Sequence, residues 1–113
     1  MTAFNIRSGN QLADSIEVAD NLFKRMKGLL GKKQMRAGEA LWIKPCMSIH
    51  TFLMRFPIDV IFLDRRNQVI ETVRNLQPNR ITKLHLKSAS VLELSVGVLE
   101  ASDTRVGDAI EIK

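Results

Sequence analysis

The chain has 113 residues, 45% hydrophobic and 26% charged, with six glycines and three prolines, a balance that suits one packed core and excludes a disordered or fibrous polypeptide. Seventeen lysines and arginines against twelve acids leave a net charge of +5, which favours encounter with anionic surfaces. No apolar run approaches the ~18 residues of a membrane-spanning helix, the first residues lack the apolar run of a signal peptide, and one cysteine cannot close an internal disulfide.

The expectation is a single cytoplasmic domain over residues 1–113 with a reduced thiol. Residues 1–18 predict a hairpin. Phe4 and Ile6 share one strand face, Ser8-Gly9-Asn10 supplies the turn, and Leu12, Asp14, Ile16 and Val18 share a face of the returning strand, where Asp14 is out of character. Over about residues 20–30, Leu22, Phe23, Met26, Leu29 and Leu30 recur at i, i+1, i+4, i+7 and i+8, one face of a helix. Asp20 is the expected N-cap and Gly31 the residue past the last turn. Burying those five side chains, at about 1.5–3 kcal/mol each, would pin the helix to a sheet. Lys24, Arg25, Lys27, Lys32, Lys33 and Arg36 form a basic stretch on and after it, with no acid between Asn21 and Gly38.

Beyond the helix the pattern is β. Short runs at 40–43, 60–63, 69–73, 91–96 and 109–112 are rich in Val, Ile, Leu and Phe and are separated by turn residues such as Gln77-Pro78-Asn79 and Gly107-Asp108. In SVLELSV, Leu92, Leu94 and Val96 face one way and Val91, Glu93 and Ser95 the other, so one face is core. VIFL at 60–63 is apolar on both faces, which predicts a strand covered on both sides, with the helix a candidate cover. NRITKLHLK, 79–87, reads as a strand or as an irregular crossing segment. The expected fold is mainly β, a small antiparallel β-barrel or sandwich with one amphipathic α-helix packed on it.

Four segments in order, RMKGLLG at 25–31, IHTFLMRFPIDVIFLD at 49–64, SVLEL at 90–94 and VGDAIEI at 106–112, resemble the bacterial and archaeal family known as domain of unknown function 192, or uncharacterised protein family 0127. The resemblance covers essentially the whole chain, and the central segment is its specific part. It implies a compact, mainly antiparallel β domain with one helix, and no established reaction.

Chemistry-bearing residues concentrate in CMSIHTFLMRFPID, 46–59. Cys46, His50 and Asp59 supply the types of a nucleophile, a base and an orienting acid, but no hydrolase signature or oxyanion-binding turn accompanies them, and a lone Cys in an apolar run reads as a small buried hydrophobe. Cys46, His50, His85, Asp59, Asp64 and Glu93 lack metal-ligand spacing, so neither metal nor cofactor is expected. His50, Thr51, Arg55 and Asp59 are the candidate ligand-binding set, Arg55 offering a planar fork to an anion and His50 a donor or acceptor. Against this stands a structural role, with Asp59 bonded to backbone amides or to Arg55. The basic set Lys24, Arg25, Lys27, Lys32 and Lys33 is a candidate interaction surface. Nucleic acid is disfavoured as partner, because the chain has no Tyr and one Trp to stack bases. The leading expectation is a non-enzymatic binding or accessory module with a protein partner, and the alternative a small-anion site, catalytic or not, around His50, Arg55 and Asp59.

Overall fold

The structure, a computed structural model, describes residues 1–113. In chain order the elements are β1 (Ala3–Asn5), β2 (Gln11–Ala13), β3 (Ser15–Ala19), α1 (Leu22–Lys27), β4 (Glu39–Ile43), β5 (Ile58–Leu63), β6 (Val69–Leu76), β7 (Ser90–Leu94), α2 (Val98–Ala101) and β8 (Ile110–Ile112). They build two sheets, ordered β2-β1-β8 and β3-β4-β7-β5-β6. Every pairing is antiparallel except β3 with β4. Parallel neighbours need a crossover of a dozen or more residues, and residues 20–38, which include α1, supply it.

The expected second strand of the hairpin breaks at Asp14. The amides of Asp14 and Ser15 both donate to the Gly38 carbonyl, at 3.0 and 2.9 Å, and draw the chain from the small sheet into the large one. Gly38 has φ +92°, and a Cβ there would meet the Asp14 carboxylate at 2.7 Å, so the junction requires glycine. In β1 the inward residues are Ala3 and Asn5, while Ile6, expected to share a strand face with Phe4, lies past the strand's end and is exposed.

The inner strands of the large sheet are buried on both faces. On one face Ile61, Leu63, Leu92 and Leu94 pack with Ala3, Leu12 and Ile110 of the small sheet and with Leu99 of α2. On the other, Val60, Phe62 and Val91 pack under Leu29, Ile49, Met54 and Phe56. β5 and β7 are therefore buried at every position, as VIFL anticipated.

The packed amphipathic helix is corrected by the structure. α1 spans six residues, is capped by Asn21 rather than Asp20, and buries none of its residues, with Leu22, Phe23 and Met26 each at least 69% exposed. Gly28 ends it with φ +49°, where other residues are strained, and Leu29 then drops into the core. The irregular segment 46–57, rather than the helix, covers the second face of the sheet, and α2 is a second short helix that the periodicity did not announce. The strand orders describe two open sheets with no closed barrel.

Candidate functional site

Between α1 and the large sheet lies a cavity of about 260 Å³, walled by α1 and its following turn on one side and by the 46–54 segment on the other. Ile43, Ile49, Met54, Leu22 and Met26 give it an apolar lining. The 46–54 wall is held by main-chain bonds. Cys46 N–H donates to the Ala89 carbonyl at 3.2 Å, Ser88 Oγ donates to the Cys46 carbonyl at 2.8 Å, and Thr82 Oγ accepts from Ile49 N–H at 3.0 Å. Its outer turn is fixed by Thr51, fully buried, whose Oγ donates to the Gln77 carbonyl at 2.6 Å and accepts from Arg80 N–H at 2.9 Å.

Glu93 lies in this cavity's wall. Its strand is the middle one of the large sheet, and its register partners are Leu41 on β4 and Val60 on β5. The residue is 3% exposed, and desolvation alone, with no compensating hydrogen bond or charge, pushes its carboxyl up to about 8. At neutral pH Glu93 is thus mainly an uncharged acid, a hydrogen-bond donor facing a cavity. Cys46 shares the wall. Burial, the largest cause, raises its thiol, a backbone hydrogen bond at Ser48 opposes this, the Glu93 charge adds to the rise, and Arg25 opposes it more weakly. A protonated thiol that donates to the Ser48 carbonyl at 3.1 Å is not an activated nucleophile.

His50 stands at the cavity edge, exposed, with its ring stacked on Phe52 at 4.9 Å between centroids and Nδ1 accepting from Phe52 N–H at 3.3 Å. Arg25 and Lys27 line the same cavity and are solvent-exposed. Cys46, His50 and Glu93 do not gather closely enough to hold one metal ion.

Of the four residues singled out in the sequence, only His50 lines the cavity. Asp59 points to the opposite face of the sheet, where its carboxylate accepts from the amides of Asn75, Gly97 and Leu99 at 2.9, 3.0 and 3.0 Å. Thr51 is spent on the 77–80 backbone, and Arg55 lies exposed outside the cavity lining. Of the basic set, Arg25 and Lys27 line the cavity, Lys32 pairs with Glu39 at 3.0 Å, and Lys24 and Lys33 point into solvent. In the sequence Glu93 stands out as one of six scattered metal-donor types and as a polar residue on the non-core face of SVLELSV, and neither marks it as buried in a cavity wall. The signal that marks it is a glutamate flanked by strands that are apolar on both faces.

Comparison with known proteins gives the family. A family model described as Uncharacterized ACR, domain of unknown function 192, matches residues 4–112. A UPF0127 protein of Pyrococcus furiosus is 30% identical over 112 residues, which is 95% of this chain and 94% of that one. One from Pyrococcus abyssi is 35% identical over 101 residues, 85% of this chain and 84% of its own. A solved protein of unknown function from Novosphingobium aromaticivorans superposes with a TM-score of 0.83 at 21% identity, over 98% of this chain and 82% of its own, a likeness of fold.

Proposed function

The chain belongs to this uncharacterised family, for which the comparisons carry no established activity, and we propose that it is a cytoplasmic, non-enzymatic module that binds a small molecule in the cavity beneath α1. One observation carries the reading: a buried carboxyl in the central strand, lining a cavity, with no partner in the protein. The Glu93 carboxyl makes no hydrogen bond within the protein and opens on the cavity, so the group that fills this volume is the one that completes it, which supports a ligand there. The exposed apolar residues of α1 fit the same account, since Leu22 and Met26 line the cavity and gain burial when it is filled. The raised Cys46 thiol and the absence of an activating base at it weigh against nucleophilic catalysis.

The test is an amide-resonance titration with three probes of one size, hexanol, hexanoate and hexylamine, on the wild-type chain and on Glu93→Leu. The reading expects at least one probe to move the resonances of Leu41, Cys46, Val60 and Met26 in the wild type and to move them much less in the variant. If no probe of any class moves them, the binding module is refuted.

A further inference from the structure

The cavity also indicates what kind of molecule it takes. We propose that its ligand is a small carboxylate with a compact apolar body, the carboxylate accepting from the Glu93 carboxyl and from the Arg25 guanidinium while the body fills the space between α1 and the 46–54 segment. This rests on the binding reading above and narrows it to one chemical class.

The charged and titratable groups that line the cavity with Glu93 decide the class. From α1 come Arg25 and Lys27, from the 46–54 segment the Cys46 thiol and His50, and from the flanking strands only the apolar Leu41 and Val60. No second acid lines the cavity, and neither cation is paired with Glu93 or with any other carboxylate. Two unpaired cations in the exposed wall of a cavity that holds one uncharged acid disfavour an ammonium ion and favour an anion. An uncharged carboxyl has one O–H to give, which a carboxylate accepts in a short, charge-assisted bond, and a guanidinium offers its fork to the same group. The remaining walls are mostly apolar, formed by Leu22, Met26, Ile43, Ile49 and Met54 with the Ser48 hydroxyl as one further polar group, so the body of the molecule is mainly apolar. A volume of about 260 Å³ lies just under the roughly 300–1,000 Å³ of ordinary small-molecule pockets, which suits a small acid better than a nucleotide or a long lipid chain.

The class sets the sign of the pH dependence. A carboxylate binds the protonated form of Glu93, so its affinity is full below about 8 and falls as Glu93 ionises above it. An ammonium ligand gives the reverse. Calorimetric titration of the intact protein with hexanoate, hexylamine and hexanol at about pH 7 and about pH 9.5 separates the two, since 1.5 units above the transition predicts hexanoate binding weaker by more than about tenfold. Glu93→Gln, near-isosteric and uncharged, keeps an N–H donor and is expected to bind hexanoate with that pH dependence removed. Arg25→Met is expected to weaken hexanoate severalfold and leave hexanol unchanged. The profile must persist in Cys46→Ala, His50→Gln and Lys27→Met, which between them remove the other ionisable side chains lining the cavity apart from Arg25. Hexylamine binding more tightly than hexanoate, hexanol matching hexanoate at about pH 7, or a flat wild-type hexanoate profile would each overturn the carboxylate assignment. In the first two cases the cavity remains a binding site, so this inference can fail without the binding module failing.

Discussion

Asp59 and Glu93 sit on hydrogen-bonded neighbours β5 and β7, one register step apart, opposite Leu94 and Val60 respectively, and so point to opposite faces of the same sheet. Both are buried, at 2% and 3% exposure. Asp59 collects three backbone amides and Glu93 none. The pair divides the molecule into a face where a carboxylate serves the fold and a face where a carboxyl is left free.

Glu93 should make the free protein less stable as pH rises. Its folded value of about 8 lies above the ordinary 4.5, so the folded state holds a proton that the unfolded state has lost, and stability declines between those values. By pH 7 the cost is on the order of 3 kcal/mol. Glu93→Gln should therefore raise the melting temperature at about pH 7 and change it little near pH 4, where both states are protonated. Thermal unfolding across that range measures it, and equal effects at both ends would contradict the assignment.

Asp59→Ala should cost about 2–4 kcal/mol, because it removes the acceptor of three backbone amides at once, that of Leu99 buried and those of Asn75 and Gly97 partly so. Two of them, Gly97 and Leu99, open α2, and the third, Asn75, lies in β6 at φ +50°. Denaturant unfolding gives the loss. In protein that remains folded, probe binding in the cavity should be unchanged, since Asp59 faces away from it.

Asp108 gives the opposite pH response. The Arg7 guanidinium, at 2.7 Å through Nε, holds its carboxylate well below the usual range, aided by Asn5 Nδ2 and by the Arg105 amide, each at 2.9 Å. The stability it contributes is present above the ordinary 3.8 and is lost as pH falls below it. Asp108→Asn should destabilise at neutral pH, with the difference from wild type shrinking in acid. A constant difference would show that packing, not charge, is what the substitution removes.

Leu53→Gly should be neutral or stabilising despite deleting a large side chain. Leu53 has φ +65° and is 80% exposed, so it contributes little burial while bearing a left-handed backbone that costs about 1 kcal/mol for an L residue. A measured loss above that size would mean that Leu53 makes contacts its exposure does not reveal.

Much of the architecture was legible from local pattern. The apolar runs located β4 to β8, and VIFL announced its burial on both faces, because strand burial writes itself into neighbouring residues. What the sequence hid depends on distant partners. The break at Asp14 requires Gly38, which lies on the far side of the crossover, and the length of α1 is set by Gly28 rather than by its apolar stripe. Cys46 and His50 were visible as chemistry-bearing residues, and both line the cavity. Glu93 was visible as a carboxylate but not as a buried one, because alternation in SVLELSV reads as one dry and one wet face. Only the placement of β7 between β4 and β5 turns the second face inward. Arg25 looked like part of a basic surface for the same reason, since nothing local says which residues α1 overhangs.

The central claim is that Glu93 is a protonated, unpartnered carboxyl waiting for a ligand's acceptor. Carbon-detected magnetic resonance of the Glu93 side-chain carboxyl, titrated with and without saturating hexanoate, tests it most directly. The account predicts a transition near 8 in the free protein that moves higher with hexanoate, because the ligand binds the protonated form. A transition near the ordinary 4.5, or one that hexanoate leaves in place, would contradict it.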